Sequence, residues 1–296
     1  MSRLILVLII LLSGALFVKA QPNQLANVDQ SVEAAVDGHD DELLLKAIKS
    51  GNLGQVKNLL DKGVSPEVKD DGSPAVCVAI RFNQPEIAEL LLARGAKVDQ
   101  EEGDEGTALQ IAAAAGRANL VKLLIAHGAD VNHRDHDGHP PLLCAAFGAL
   151  WKGAPDWIAT QLFKMDDDDD EDENKLREML GNEHLAVAKL LLAAGAQVNA
   201  KGGDCGLTAL MIAAMSGNAE MARLLLDHHA DVRITGYGEH TALQFAEMYD
   251  SPEELANELR EQDDEKEKQA LLNWVHFTAS GRHTVAAMLR NAGATR

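Results

Sequence analysis

The chain has 296 residues, of which 46% are hydrophobic and only 4% aromatic, and its formal net charge at pH 7 is −19. Such a charge disfavours nucleic acids and anionic lipid surfaces as partners, because both repel an acidic protein. It favours a basic protein, a cationic peptide or metal ions, although acidity can also serve only to keep a protein soluble.

The first 20 residues have the three parts of a secretory signal. Arg3 gives a positive start, Leu4–Val18 is an apolar run of 15 residues, and Val18-Lys19-Ala20 offers small residues at a cleavage site. A membrane-spanning helix needs about 20 apolar residues, so an uncleaved anchor is the alternative. We expect an exported chain, periplasmic or secreted, that begins near Gln21 and has no stable membrane insertion after cleavage. Residues 21–39 are predicted to be a flexible lead.

From about residue 40 onward the chain repeats itself. The stretch TALQIAAAAGRANLVKLLIAHGADVN, which begins at Thr107, returns as TALMIAAMSGNAEMARLLLDHHADV, which begins at Thr208. Each copy reads as an Ala-rich helix, a Gly turn, a second helix ending in Leu-Leu, and a cap in the left-handed conformation that suits Gly. This self-similarity predicts a repeat domain over residues 40–296 in which similar helix pairs stack on one another.

These residues resemble the ankyrin-repeat family. The resemblance is clearest at Thr107, Leu109, Ala112, Ala113, Gly116, Leu123, Leu124, Gly128, Asp130 and Asn132, and again at Thr208, Leu210, Ala213, Ala214, Gly217, Leu224, Leu225 and Asp231. It implies an all-α solenoid of stacked helix-turn-helix pairs with hairpin-like finger loops. It also implies binding of partner proteins through the fingers and the concave face of the first helices. The family's helix-opening His is replaced by Gln110, Met211 and Gln244, which leaves open how adjacent repeats are bonded there.

The number of repeats follows from the residues that end the second helices, with steps of 32, 33, 67, 34 and 64 between them: Gly63, Gly95, Gly128, Gly195, His229 and Gly293. Six repeats are clear. Seven steps of just under 33 fill the same span and give eight repeats, with degenerate ones near residues 149–182 and 250–279. Gly281 supports eight, since it precedes Gly293 as Gly51 precedes Gly63. The alternative is two repeats that each carry an insertion of about thirty residues between their helices.

The three cysteines are not expected to form a disulfide. Cys77 and Cys144 fall on first helices two repeats apart. Stacked helices are separated by about 8–10 Å, whereas a disulfide needs Cα atoms within about 7 Å. We therefore expect both to be small core residues.

Two acidic runs are candidates for contact with a basic partner. The runs DDDDDEDE, from Asp166, and DDEKE, from Asp263, both fall where a finger follows a second helix in the count of eight repeats. The alternative is a solvated loop, because blocks of like charge repel one another. The predicted contact residues in the first run are Asp166, Asp167, Asp168, Asp169 and Asp170.

Residues of other fingers and of the first helices complete the predicted surface. The finger candidates are Asp71, Glu101, Glu102, His133, His136, Asp137, His139, Tyr237 and His240. On the concave side of the first helices, Met and Tyr can make adaptable contacts or cover neighbouring fingers; these residues are Met211, Met215, Met248 and Tyr249. The alternating histidines and aspartates of the loop HRDHDGH could also bind a transition metal, through His133, His136 and His139.

Motifs of catalysis are absent from the sequence. It has no Gly-rich phosphate loop, HExxH, GxSxG or paired CxxC motif. We therefore expect a non-enzymatic, monomeric interaction scaffold with no cofactor. One alternative is a periplasmic immunity or inhibitor protein that masks a toxin or an enzyme. The other is a metal-handling or stress-protective protein.

Overall fold

The computed structural model describes residues 39–102, 106–153, 183–248 and 265–295. The predicted signal, nearly all of the lead, the acidic run Asp166–Asp170 and Tyr249 lie outside the described residues. Within the described ranges the chain is helical apart from short loops and a two-stranded hairpin, as the repeat pattern predicts.

The helices alternate between two roles along the chain. The first helices of the pairs are α1 (His39–Lys49), α3 (Ala75–Arg81), α5 (Ala108–Ala114), α7 (Pro141–Gly153), α9 (Ala209–Ser216) and α11 (Ala242–Ala246). The second helices are α2 (Leu53–Asp61), α4 (Pro85–Ala93), α6 (Ala118–Ala126), α8 (His184–Ala193), α10 (Ala219–Asp227) and α12 (Glu265–Asn291). The hairpin is formed by β1 (Lys69–Asp70) and β2 (Ser73–Pro74), which pair antiparallel.

Local sequence explains where these helices begin and end. Thr107 caps α5 in a capping box with Gln110, and Asn218 caps α10 by accepting a hydrogen bond from the Met221 amide at 3.0 Å. The turn at Gly116 needs a left-handed backbone, with φ of 64°. His229 takes a left-handed φ of 63° where the other repeats have Gly, so it serves as the predicted C-terminal cap.

The described helices stack as six consecutive pairs, which we number layers 1 to 6. Each first helix contacts the first helix of the next pair, in the order α1, α3, α5, α7, α9 and α11. The second helices follow the same order, from α2 to α12. The two helices of layer 4, α7 and α8, contact each other directly although 30 residues separate their adjoining ends.

A ladder of hydrogen bonds joins the loops that follow the second helices, and it gives an independent count of the layers. In each case a side-chain oxygen accepts a hydrogen bond from a backbone amide in the next layer. The bonds are Glu67 to Lys97 at 2.7 Å, Asp99 to Asp130 at 3.1 Å, Asn132 to Gln197 at 2.8 Å and Asn199 to Asp231 at 2.8 Å. The third rung has the same form as the others although it bridges the first long interval. The count of eight repeats is therefore wrong for this stack, and the long intervals are insertions between the helices of layers 4 and 6.

Two glycines allow the helices beside these insertions to be longer than the others. Helix α7 has 13 residues against seven in α5, and it passes the end of α5 at Gly148, where a Cβ atom would clash with the Ala114 carbonyl. Helix α12 runs unbroken for 27 residues through Gly281, where a Cβ would clash with the backbone of Gly217. The interpretation of Gly281 as a turn is therefore wrong. It lies within a helix, at a point where another backbone passes closely.

The core is built from small and branched apolar side chains between the layers. Cys77 and Cys144 are buried, and their thiols are free. They lie on α3 and α7, between which α5 is placed in the stack. Their predicted role as core residues is confirmed.

Candidate protein-interaction surface

Five loops connect the second helix of one layer to the first helix of the next, and we call them fingers 1 to 5. They cover residues 64–74, 96–107, 129–140, 196–208 and 230–241. Finger 1 contains the β1–β2 hairpin, and fingers 2, 4 and 5 each close with one antiparallel bridge: Glu101 with Thr107, Gly202 with Leu207, and Thr235 with Thr241. The predicted hairpin-like fingers are confirmed.

Polar contacts join the fingers to one another along the stack. In finger 2, Glu102 accepts a hydrogen bond from the Ser73 hydroxyl of finger 1, and Glu101 lies 2.8 Å from Nε2 of His133 in finger 3. Arg134 of finger 3 donates to the carbonyl of Lys201 in finger 4 at 2.5 Å. Fingers 1 to 4 therefore form a continuous bonded row, which we call the finger row.

Gln110 fixes finger 3 beneath this row. Its side-chain oxygen accepts from the Thr107 amide at 2.8 Å, and its Nε2 donates to the carbonyl of His139 at 2.6 Å. The residue is fully buried. Gln110 thus makes the bond between repeats for which the family's His is absent. At Gln244 the corresponding bond to the Thr241 amide is also present, at 2.8 Å.

Glu102, predicted as an exposed finger contact, is only 6% exposed. Besides the bond from Ser73, its carboxylate pairs with the guanidinium of Arg81, which lies at the end of α3. A cation on the helix below therefore draws Glu102 inward, and the residue holds finger 2 in place instead of offering a surface. Lys49 and Asp70 form an equivalent pair at finger 1, at 2.7 Å.

His139 is likewise buried, at 4% exposure, so its prediction as a surface contact is wrong. The Asp135 carboxylate accepts from the His139 amide at 2.7 Å, and the edge of the His139 ring meets Phe147 with ring centroids 5.7 Å apart. Burial, with the negative charge of Asp135, raises the pKa of the Cys144 thiol in this same region. The finger therefore folds around His139.

The three histidines of finger 3 do not converge on one point. His133 faces Glu101, His136 is exposed, and His139 is buried beside Phe147. In the part of the chain that the structure describes, no group of three His, Cys, Asp or Glu residues could hold a metal ion.

The methionines predicted to line the concave face belong to the core. Met211 and Met215 are each 1% exposed, and Met248 is 4% exposed. Met211 lies beneath finger 5, where a Cβ atom at Gly236 would touch its sulfur. The first-helix Met residues therefore cover fingers and fill the stack, which is the alternative that the sequence left open. The sequence could not separate the two because both uses favour a flexible apolar side chain.

The remaining predicted residues do reach the surface of the finger row and of finger 5. Asp71, Glu101, His136 and Asp137 are exposed, and His133, Tyr237 and His240 are half-buried. Sequence reasoning missed the basic residues of the same loops, which are exposed and alternate with the acids: Lys69, Arg134, Lys201 and Arg233. The described fingers therefore carry mixed charge and are not uniformly acidic.

A second set of residues that sequence reasoning missed lies where each first helix meets the second helix of its layer, which we call the turn edge. Arg117 is buried and donates to the Arg81 carbonyl at 3.0 Å, and burial lowers its pKa to about 10. Nε2 of His184 lies 3.0 Å from the Ala114 carbonyl, and Arg282 donates to the Met248 carbonyl. All three satisfy carbonyls at or near the ends of first helices. The signal in the sequence is a basic residue at the start of a second helix.

The excess of acidic residues lies mainly outside the described helices and fingers. The described ranges contain 24 acidic and 20 basic residues, whereas residues 154–182 contain ten and three, and residues 249–264 contain seven and one. The first insertion joins Gly153, at the end of α7, to Glu183, just before α8. Its attachment is therefore at the turn edge, so the prediction that Asp166–Asp170 follows a second helix in a finger is wrong.

None of the described helices is both long enough and apolar enough to cross a membrane.

Comparison with known proteins gives concordant matches. A family model described as ankyrin repeats matches three times, at residues 16–102, 97–152 and 176–270. A putative ankyrin repeat-containing protein of Treponema pallidum (strain Nichols) is 38% identical over 213 residues, which cover 72% of this chain and 49% of the relative. NF-kappa-B inhibitor zeta of Bos taurus is 28% identical over 243 residues, which cover 77% of this chain and 33% of the relative. The chain thus spans about half the length of the first relative and about a third of the second.

Proposed function

Because the chain belongs to the ankyrin-repeat family, we propose that it is a protein-interaction scaffold that binds a partner through its finger row, as a monomer and without catalysis. The observation that carries this proposal is the bonding of fingers 1 to 4 into one row that still exposes charged side chains. Asp71, Glu101 and Asp137 are exposed on three successive fingers. A surface already ordered before binding loses less conformational entropy on association, which favours affinity.

The contact residues we retain are those at the tips and sides of the fingers. They are Asp71, Glu101, His133, His136, Asp137, Tyr237 and His240. Their mixture with exposed basic residues favours a partner with a patterned, polar surface over a uniformly charged one. The concave face contributes less, because the first helices of layers 3 to 6 are buried almost throughout.

We propose that the partner is basic and that the acidic insertions speed its approach. The support for this is the concentration of acidic residues in residues 154–182 and 249–264, while the described stack is close to neutral. Charges at the rim of an interface act mainly on the association rate. Attachment of the first insertion at the turn edge separates this steering charge from the finger row.

We further propose that the protein is exported, on the strength of the positive start, the short apolar run and the Val18-Lys19-Ala20 site. The uncleaved anchor remains the alternative. A role as an inhibitor that masks its partner is a second candidate, favoured by the resemblance to a protein named NF-kappa-B inhibitor zeta.

Two matched variants test the finger row. In the first, Asp71, Glu101, His136 and Asp137 are replaced together by Ala. In the control, four exposed residues of the second helices are replaced by Ala: Lys57, Glu89, Lys122 and Glu220. Each variant of the mature protein is used to capture partners from the native compartment, and bound proteins are identified by mass spectrometry. We expect the finger variant alone to lose the partner. Retention by the finger variant, or equal loss from both folded variants, would exclude the finger row as the binding surface.

A further inference from the structure

The ladder of hydrogen bonds between layers stops at layer 5. The position that holds Glu67, Asp99, Asn132 and Asn199 in layers 1 to 4 is occupied in layer 5 by Arg233. An Arg side chain has donors only, so it cannot accept a hydrogen bond from the amide of the next layer. Its guanidinium instead turns back to Asp231 in the same loop, with Nε 2.9 Å from Oδ1 and Nη2 3.0 Å from Oδ2.

The loop of layer 6 that would complete the ladder is nevertheless in place. The Ala294 amide donates to the Leu289 carbonyl at 2.9 Å, as the Ala129 amide donates to the Leu124 carbonyl at 3.1 Å in layer 3. Thr295 therefore follows Gly293 as Asp130 follows Gly128, at the position of a donor amide in the ladder. The missing rung is a consequence of Arg233, because the backbone on the other side has the usual form.

Strong polar contacts of layer 6 join its own two helices to each other. Arg282 on α12 donates to the carbonyl of Met248, which follows α11, and Arg290 on α12 pairs with Glu247. Layer 6 also has the shortest first helix of the described layers, the five residues of α11. The layer is thus held together internally, and it meets layer 5 through packing of α11 and α12 on α9 and α10.

We infer that layer 6 opens from the stack as a separate unit, more readily than any other layer. Position at the end of the stack does not by itself explain this behaviour. Layer 1 is also terminal and has one neighbour, but it keeps its rung from Glu67 to the Lys97 amide. The inference therefore predicts an asymmetry between the two ends. In a repeat stack each layer is stabilised by its interface with its neighbours, so a missing interface bond acts on one layer alone.

Amide hydrogen exchange of the full chain, followed by mass spectrometry, tests this inference. We expect amides of α11 and of residues 285–291 in α12 to exchange together, about ten-fold faster than buried amides of α1 and α2. Arg233→Asn supplies the acceptor that Asn199 provides in layer 4, and we expect it to slow exchange in layer 6 about five-fold, the effect of one hydrogen bond.

Two control variants make the result specific. Arg233→Ala removes the pairing with Asp231 without supplying an acceptor, and Arg223→Asn changes an exposed residue of α10 outside the ladder. We expect neither to slow exchange in layer 6. Equal exchange of layers 1 and 6 in the wild type would overturn the inference. So would an Arg233→Asn variant that behaves like Arg233→Ala.

Discussion

Replacing Gln110 with Met tests how one layer is bonded to the next. Met has a similar volume but cannot replace the hydrogen bonds of the amide, so the core stays filled while the polar contacts are lost. Two buried groups then lose a partner: the Thr107 amide, at 2.8 Å from the Gln110 oxygen, and the His139 carbonyl, at 2.6 Å from its nitrogen. Each buried polar group left unsatisfied costs about 1–3 kcal/mol. We expect the free energy of unfolding to fall by about 2–6 kcal/mol.

The measurement is urea unfolding of the mature protein, followed by far-ultraviolet circular dichroism. Gln110→His is the matched control, because an imidazole has a donor and an acceptor that can serve the same two groups. We expect its loss to be about 1 kcal/mol, the value of one imperfect hydrogen bond. A Met variant that unfolds at the same urea concentration as the wild type would show that these bonds do not couple finger 3 to layer 3. A His variant as unstable as the Met variant would show that volume, and not hydrogen bonding, governs this position.

Three further predictions concern other parts of the chain. Asn132→Ala should lower the free energy of unfolding by about 1 kcal/mol, because it removes the rung to Gln197 across the first insertion; an unchanged unfolding midpoint would contradict the direct stacking of layers 3 and 4. Replacing Asp166–Asp170 with Ser should slow association with a basic partner and flatten its salt dependence, since charges about 10 Å apart are screened at 0.1 M salt; wild-type rates at low and high salt would make the run a solvated spacer. N-terminal sequencing of the protein from fractionated cells should begin at or near Gln21, and a full-length cytosolic chain would rule out export.

The parts of the fold that the sequence predicted depend on local chemistry. Thr107 and Gly116 mark the start and the end of α5 through a capping box and a left-handed turn, and both features are fixed by neighbouring residues. The same holds for His229, which ends α10 as Gly128 ends α6. Such signals recur in each layer, so the fold class and the boundaries of most helices could be predicted without knowledge of distant contacts.

The parts that failed depend on which segments meet in space. Gly281 has the spacing of a turn glycine, but it is needed because the backbone of Gly217 passes close to it, and the sequence does not distinguish these two needs. Met215 and Glu102 were assigned to the surface from their positions within a repeat. Met215 is instead covered within the stack, and Glu102 is drawn inward by Arg81, a residue of the preceding first helix. Burial of a side chain is decided by neighbours that the local pattern does not name.

The rung from Asn132 to Gln197 has a consequence for how this protein can change over evolution or in the laboratory. Layers 3 and 4 are held by their own contacts, so the chain between Gly153 and Glu183 only has to connect two fixed ends. Doubling the length of such a connection costs only about 0.6 kcal/mol in chain entropy. The site can therefore accept segments of very different length and composition while the helices on either side keep their places. It offers a natural position for grafting a new recognition element, such as a peptide epitope or a small domain, onto an unchanged frame.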